Sequence, residues 1–339
     1  MNEVLFHHFD RNHCCEARYV DEILARLQEL TDGSCLVVSS HLETLPASDQ
    51  PKVVILTGDE GERLSPVPFA SLNVRAVFRI FNREDSCNLV NVFPIPPGYN
   101  WRMHNEDVSV MDRFYPETPL SQRKTDLFFA GQVIESRRVM VEGLKKLGTS
   151  YSTVVGTNPS FRTGLKIDNY LRQLGDTKIA LVPDGTSEDT FRYVEAMASG
   201  CIVIMPRKSG LWYYEGAPVV WVDSWNELTP GLIRKILSED LDAWGRRARE
   251  YYQTHLSGKA VAEYMVARLA DQERPGYAAE QAGRWLVEAR KAKDEVRTLR
   301  ASRGIPVAMN KIAANLHRPG YLARKAIEKL TAYLNRFSV

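Results

Sequence analysis

Two successive α/β layers of parallel strands, followed by a basic helical extension, form the architecture this sequence predicts. Short runs rich in Val and Ile alternate with stretches of helical periodicity between residues 4 and 206, the pattern of parallel sheets with crossover helices. A Pro-rich stretch, from Pro94 to Tyr99 and on to Pro119, interrupts the alternation and reads as a connector between the layers. Beyond Pro230 the chain becomes almost wholly helical, and from Arg274 to Val339 it carries 14 basic against 5 acidic residues. The 339 residues also exceed the usual length of one domain.

Each element has its own warrant. Val4–Phe9 reads as the first strand, and Tyr19, Ile23, Leu27 and Leu30 fall at helical spacing before Gly33 stops the helix. Cys35–Ser39, Val53–Thr57, Val74–Phe81 and Leu89–Phe93 complete a first Rossmann-like layer, three of them rich in Val or Ile as buried parallel strands are. The second layer is predicted as strand Asp126–Ala130, helix Ser136–Leu147, strand Ser152–Gly156, helix Thr163–Leu174, strand Lys178–Pro183, helix Thr190–Ser199 and strand Cys201–Pro206. The expected division is therefore a domain over 1–120 with its linker, a domain over 121–272, and a helical extension over 273–339. Two such halves make a cleft, and ligands of open α/β sheets sit beyond the carboxyl ends of the strands.

A hydrophobic fraction of 44% with 25% charged residues suffices for sizeable cores and excludes a disordered or fibrous chain. No apolar run reaches the roughly 18–20 residues that cross a bilayer. Met1 to His8 lacks the basic-then-apolar order of a secretion signal. The five cysteines are odd in number, scattered and without a Cys-x-x-Cys pair, which argues against a disulfide framework or structural zinc and for a reducing, cytoplasmic setting. Of the net charge of +2, the stretch from Arg274 to Val339 supplies +9, so residues 1–273 carry −7. Body and tail are built for different tasks.

The segment from Lys178 to Pro206 is the most informative. A buried strand ends at Pro183, a loop rich in Gly, Ser and Thr follows, and a helix opens with Asp189 or Thr190 placed to cap it. The amides and dipole at such a helix start attract a phosphate, and Arg192 in the first turn adds a guanidinium for a pyrophosphate. Glu195, three residues on, shares that helical face, where its carboxylate can accept from two vicinal ribose hydroxyls. Ala196, Ala198 and Gly200 permit close packing, and Gly200 stops the helix. The plainer reading of Arg192 and Glu195 is a surface ion pair worth a few tenths of a kcal/mol.

The run Arg192, Glu195, Ala196, Gly200, Cys201 resembles the donor-nucleotide segment of GT-B glycosyltransferases, in particular the exostosin-like family. Leu127 to Gly131 followed by Arg137 and Arg138 is similar to that family's opening donor-domain strand, Gly turn and downstream basic residues. Weaker echoes are Asp59–Glu60 and Phe93 to Tyr99. The resemblance implies two Rossmann-like domains of the GT-B kind, an N-terminal one for the acceptor and a C-terminal one for a nucleotide-sugar donor. Retaining enzymes usually carry a glutamate eight positions before the second one; here that place holds Ser187, with Glu188 one place out of register, which favours inversion. No Asp-x-Asp pair of the kind that holds a divalent ion is apparent, so no metal or other cofactor is expected beyond the sugar nucleotide as co-substrate. The leaving diphosphate would be met by Arg192, Arg137 or Arg138 and the helix start, with Gly131, Thr190 and Asp189 around it.

A catalytic base should come from the N-terminal half. Asp59 and Glu60 stand at the carboxyl end of a strand, Asp59 ahead, although a loop carboxylate is more often merely solvated. His7, His8, Asp10 and His13 cluster after the first strand, with His8 a candidate base; read with Cys14 and Cys15 they fit no standard zinc spacing. Tyr99, Asn100 and Trp101 are read either as a stacking surface or as packing.

In the tail, Ile305, Met309, Ile312 and Leu316 form one apolar stripe and Leu322, Ala326, Leu330, Tyr333 and Phe337 another, while residues 301–339 carry +6. A basic amphipathic pair of this kind reads equally as an anchor on an anionic membrane surface or as a helical domain or homodimer interface. Nucleic acid is disfavoured by the acidic body. The resulting expectation is an inverting, metal-independent glycosyltransferase, peripheral at the inner face of the membrane, acting on a glycan or lipid-linked acceptor in polysaccharide synthesis. The alternatives are a retaining transferase, a nucleotide-sugar epimerase, or a non-catalytic glycan- or nucleotide-binding partner.

Overall fold

The computed structural model describes residues 4–11, 14–28, 34–40, 45, 49–57, 73–81, 91–100, 116–158, 165, 167–185, 187–208 and 210–272. The described residues form two compact units that are not consecutive stretches: those up to 10, from 27 to 95 and from 264 on group together, as do those from 11 to 26 and from 96 to 263. Each holds one five-stranded sheet whose strands are all parallel, so both expected Rossmann-like layers are present. The extension expected over 273–339 lies outside the described residues.

In the first unit β1 (Val4–His7), β2 (Cys35–Ser39), β3 (Lys52–Leu56), β4 (Val74–Arg79) and β5 (Val92–Pro94) pair in the order of the sequence. β2 and β3 are buried along their whole length, as expected of strands covered on both faces, and Val37, Val54, Leu56 and Val77 share one core. The end of the last described helix also belongs here: the Tyr264 ring meets Phe78 edge-on at 6.5 Å, and Arg75 donates to the Leu269 carbonyl at 3.1 Å.

The second unit contains α1 (Ala17–Leu27) up to Arg26, then β6 (Thr125–Gln132), α2 (Glu135–Lys146), β7 (Thr153–Asn158), α3 (Ile167–Gly175), β8 (Thr177–Leu181), α4 (Phe191–Ala198), β9 (Ile202–Pro206) and β10 (Val219–Val222). Its order is β10-β9-β8-β6-β7, so the order reverses between β6 and β8. In open α/β sheets that reversal is where a crevice for ligands opens. β10 has no counterpart in the sequence reading; its four residues follow a run of aromatic turn residues that hides the pattern.

Leu127 and Phe129 of β6 pack with Met140 and Leu144 of α2 and with Ile179 and Ile202, which fixes α2 over the sheet. Gly200 ends α4 at φ +68, and the Cys201 amide reaches back to the Ala196 carbonyl at 2.9 Å, closing the helix in the manner that favours glycine. α5 (Pro230–Leu237), α6 (Leu241–Tyr251) and α7 (Gly258–Gln272) follow. The one Asp-x-Asp sequence of the chain, which the sequence reading passed over, opens α6. There Asp240 caps Ala243 and Asp242 accepts from the amide and hydroxyl of Ser121, so both carboxylates are committed to structure. No described helix is long and apolar enough to cross a membrane.

Candidate anion-binding site

Three basic side chains converge at the carboxyl ends of β6, β8 and β9. Arg192, in the first turn of α4, reaches back across the end of β6. Its Nε donates to the Ala130 carbonyl at 2.7 Å and its Nη1 to the Thr190 hydroxyl at 3.5 Å, while the guanidinium lies 5.7 Å from the Phe129 ring. Gly131 makes room for it, since a Cβ there would stand 2.3 Å from Nη2 of Arg192. Arg137, at the start of α2 and 5% exposed, donates from Nε to the Asp184 carbonyl at 2.7 Å and from Nη1 to the Gln132 carbonyl at 2.8 Å.

The hydrogen bonds of both guanidiniums end on uncharged oxygens. These satisfy the N–H groups without neutralising the charge. Burial first, and then the neighbouring Arg192, lower the Arg137 pKa to about 10. Asp184, three residues past the end of β8, supplies partial compensation and itself holds Lys208, two residues past β9, at 2.5 Å. Such a cluster is prepared for an anion: a phosphate oxygen would meet guanidinium N–H groups whose desolvation the fold has already imposed.

A carboxylate lies beside this cluster. Glu195 of α4 is 2% exposed, and each oxygen has a donor: Oε1 accepts from the Asn100 amide at 3.2 Å and Oε2 from the Tyr170 hydroxyl at 2.7 Å. Burial raises its pKa, against the pull of these two donors and of Arg192. Asn100 is 4% exposed and its side-chain Oδ1 has no hydrogen-bond partner.

The chain matches no family profile and no curated protein. Solved structures resemble it. TarM is 12% identical, with 74% of this chain and 58% of that one covered and a TM-score of 0.46. AviGT4, a glycosyltransferase involved in avilamycin A biosynthesis, is 12% identical over 78% and 92%, with a TM-score of 0.45. WaaG, a glycosyltransferase involved in lipopolysaccharide biosynthesis, is 13% identical over 79% and 99%, with a TM-score of 0.40. The chain thus spans less than two thirds of TarM's length. At these identities and TM-scores the likenesses identify no activity.

Of the residues singled out in the sequence, Arg192, Arg137, Gly131, Thr190 and Glu195 come together. Arg138 is exposed, one position away from the buried Arg137, because adjacent residues on a helix cannot share a face. Asp189 and Thr190 do not cap α4 with their side chains, contrary to the sequence reading. Thr190 occupies the cap position but gives its oxygen to Arg192. Asp189 turns inward and accepts from the hydroxyls of Tyr213 at 2.7 Å and Tyr214 at 2.8 Å. Tyr99 is a packing residue, 2% exposed, edge-on to Tyr19 and donating to Glu22 at 2.6 Å.

His8 follows β1 in the first unit, exposed and at φ +49, with its carbonyl accepting from Ser40. Asp59, Glu60, His13 and Trp101 lie outside the described residues. Among the described residues no group of three or more His, Cys, Asp or Glu could hold a metal ion. Sequence reasoning missed Asp184, Lys208 and Tyr170. The first two lie within three residues of a strand's carboxyl end, so the strand-end rule alone would have pointed to them. Nothing in the sequence marks Tyr170, whose role depends on how α3 lies against α4.

Proposed function

We propose that the chain is a GT-B glycosyltransferase that holds the diphosphate of a sugar nucleotide at the β6–β8 reversal of its second sheet. The observation that carries this is the pair Arg137 and Arg192: neighbouring guanidiniums, one of them buried, whose partners are all uncharged. The start of α4 adds its positive dipole end, and Glu195 stands where a nucleoside ribose would follow the diphosphate. In this reading residues 1–120 serve the acceptor, 121–272 the donor, and 273–339 form the extension.

The reaction class follows from what such a site can stabilise. An acceptor hydroxyl forms a bond to the anomeric carbon as the bond from that carbon to the diphosphate oxygen breaks. The hydroxyl proton passes to a base from the N-terminal half, with Asp59, Glu60 and His8 the candidates. Charge developing on the leaving diphosphate is taken up by Arg137, Arg192 and Lys208. Ser187 in place of a glutamate supports inversion at the anomeric carbon, and the cations suffice for the leaving group without a metal. A polysaccharide or lipid-linked glycan as acceptor, and the membrane surface or a second copy as partner of residues 301–339, extend the same reading.

Thermal unfolding in the presence of uridine, guanosine, cytidine and thymidine diphosphates tests it, because a ligand bound only by the folded state raises the midpoint. A rise with one or more of them is expected, abolished in Arg137→Ala and Arg192→Ala. No rise with any would overturn the reading. Binding of a diphosphate with no transfer or donor hydrolysis would instead mark a nucleotide-binding partner without catalysis.

A further inference from the structure

We propose that Tyr170 is a positioning residue that aims the Glu195 carboxylate at the ribose of the bound nucleotide and so sets a preference for ribonucleotides over deoxyribonucleotides. The inference rests on the sugar-nucleotide reading above. It starts from a property of glutamate: the terminal torsion is broad and two-fold, so the chain itself does not fix the plane of the carboxylate. At Glu195 two donors from different elements fix it. The Tyr170 hydroxyl comes from α3 to Oε2 and the Asn100 main-chain amide comes from the segment after β5 to Oε1.

The lone pairs then decide what remains. An ionised carboxylate has about four acceptor sites. With one on each oxygen used, one on each oxygen is left, which is the number a pair of vicinal hydroxyls requires. Tyr170 is suited to hold this geometry: it is 5% exposed, its ring lies 5.7 Å from that of Phe128, and burial first and then Glu195 keep its phenol protonated. Removing the hydroxyl leaves Oε2 without its anchor and lets the carboxylate plane turn.

The test is a ratio of ratios. Whichever of uridine, guanosine or cytidine diphosphate binds the full chain best is compared with its 2′-deoxy and 3′-deoxy counterparts, by calorimetry, in the wild type and Tyr170→Phe. A preference of the wild type for thymidine diphosphate, which lacks the 2′-hydroxyl, over all three would overturn the proposal. The wild type is expected to prefer the ribose form by about tenfold, the size of a hydrogen bond to a charged group. The preference should fall to about twofold or less in Tyr170→Phe, whose unfolding midpoint also falls because a buried carboxylate oxygen loses its donor. A purely packing role would weaken the ribose and deoxy forms alike, keeping the ratio, and would overturn the proposal. So would equal binding of both forms by the wild type. Binding of no diphosphate at all would instead sink the sugar-nucleotide reading and this proposal with it. Should Tyr170→Phe fail to fold, a fluorinated tyrosine at 170, which keeps the donor, is expected to hold the wild-type ratio; a collapse there also overturns the proposal.

Discussion

The loop between β8 and α4 takes part in two polar clusters, one through Asp189 and one through Asp184, and the two differ in how they are satisfied. One is the Asp189 staple, a buried carboxylate whose two oxygens each receive a tyrosine hydroxyl, with the Asp189 amide held by Ser187 Oγ at 3.0 Å. Burial first, and Asp189 with it, keep the Tyr214 phenol a donor. The other is the basic cluster of Arg137, Arg192 and Lys208, whose guanidiniums are bonded but not neutralised. The first is complete within the protein and contributes stability. The second holds two guanidiniums close together with Asp184 as partial compensation, an excess of positive charge that a bound anion would offset.

If that contrast is right, damage on the two sides must read out differently. The largest effect is expected from Asp189→Ala, which takes away the carboxylate that two buried phenols donate to: unfolding free energy in urea should drop by about 3 kcal/mol, with nucleoside diphosphate affinity of the folded protein within about twofold. Loss of affinity without loss of stability would place Asp189 in the site. Arg137→Met should do the reverse, leaving stability within about 1 kcal/mol while diphosphate affinity falls by about thirtyfold, since replacing a buried charge by an apolar side chain of similar volume is often neutral. A large stability loss would show the guanidinium to be structural. Gly131→Ala pushes a methyl into the place of Arg192 Nη2, and about a tenfold loss of affinity is expected.

Lys208→Gln should cost only severalfold, because Lys208 is already paired with Asp184; an effect equal to that of Arg137 would mean that the pair breaks on binding. The smallest effect concerns pH. Burial raises the Glu195 pKa in the folded state, so between its unfolded and folded values the folded protein binds the extra proton. Its contribution is therefore fully present below the unfolded value and lost as pH rises through the folded one. Stability of the wild type relative to Glu195→Gln should decline over that window, measured by urea unfolding at successive pH values; a rise would contradict the burial of the carboxylate.

Much of the second unit was legible because its signals are local. The alternation of Val/Ile runs with helical periodicity located β6 to β9 and α2 to α4 to within a few residues, and β2 runs from Cys35 to Ser39 as read. Arg192 and Glu195 were legible as neighbours from their helical spacing. β10 was not, since four residues after an aromatic turn carry too little pattern. The inward turn of Asp189 was not either: a carboxylate just before a helix reads as a cap, and only the tyrosines of a later segment, Tyr213 and Tyr214, draw it away.

The sequence by itself determined that there are two parallel α/β layers, where α4 begins and ends, and that an Arg and a Glu share its first turns, because hydrophobic periodicity and helix geometry act over a handful of neighbouring residues. The tertiary structure alone decided that Arg137 rather than Arg138 joins Arg192, that Asp184 and Lys208 complete the cluster, and that Tyr170 and Asn100 hold Glu195. Those choices depend on which strand ends the β6–β8 reversal brings side by side, and contacts made between residues tens of positions apart leave no mark on local sequence.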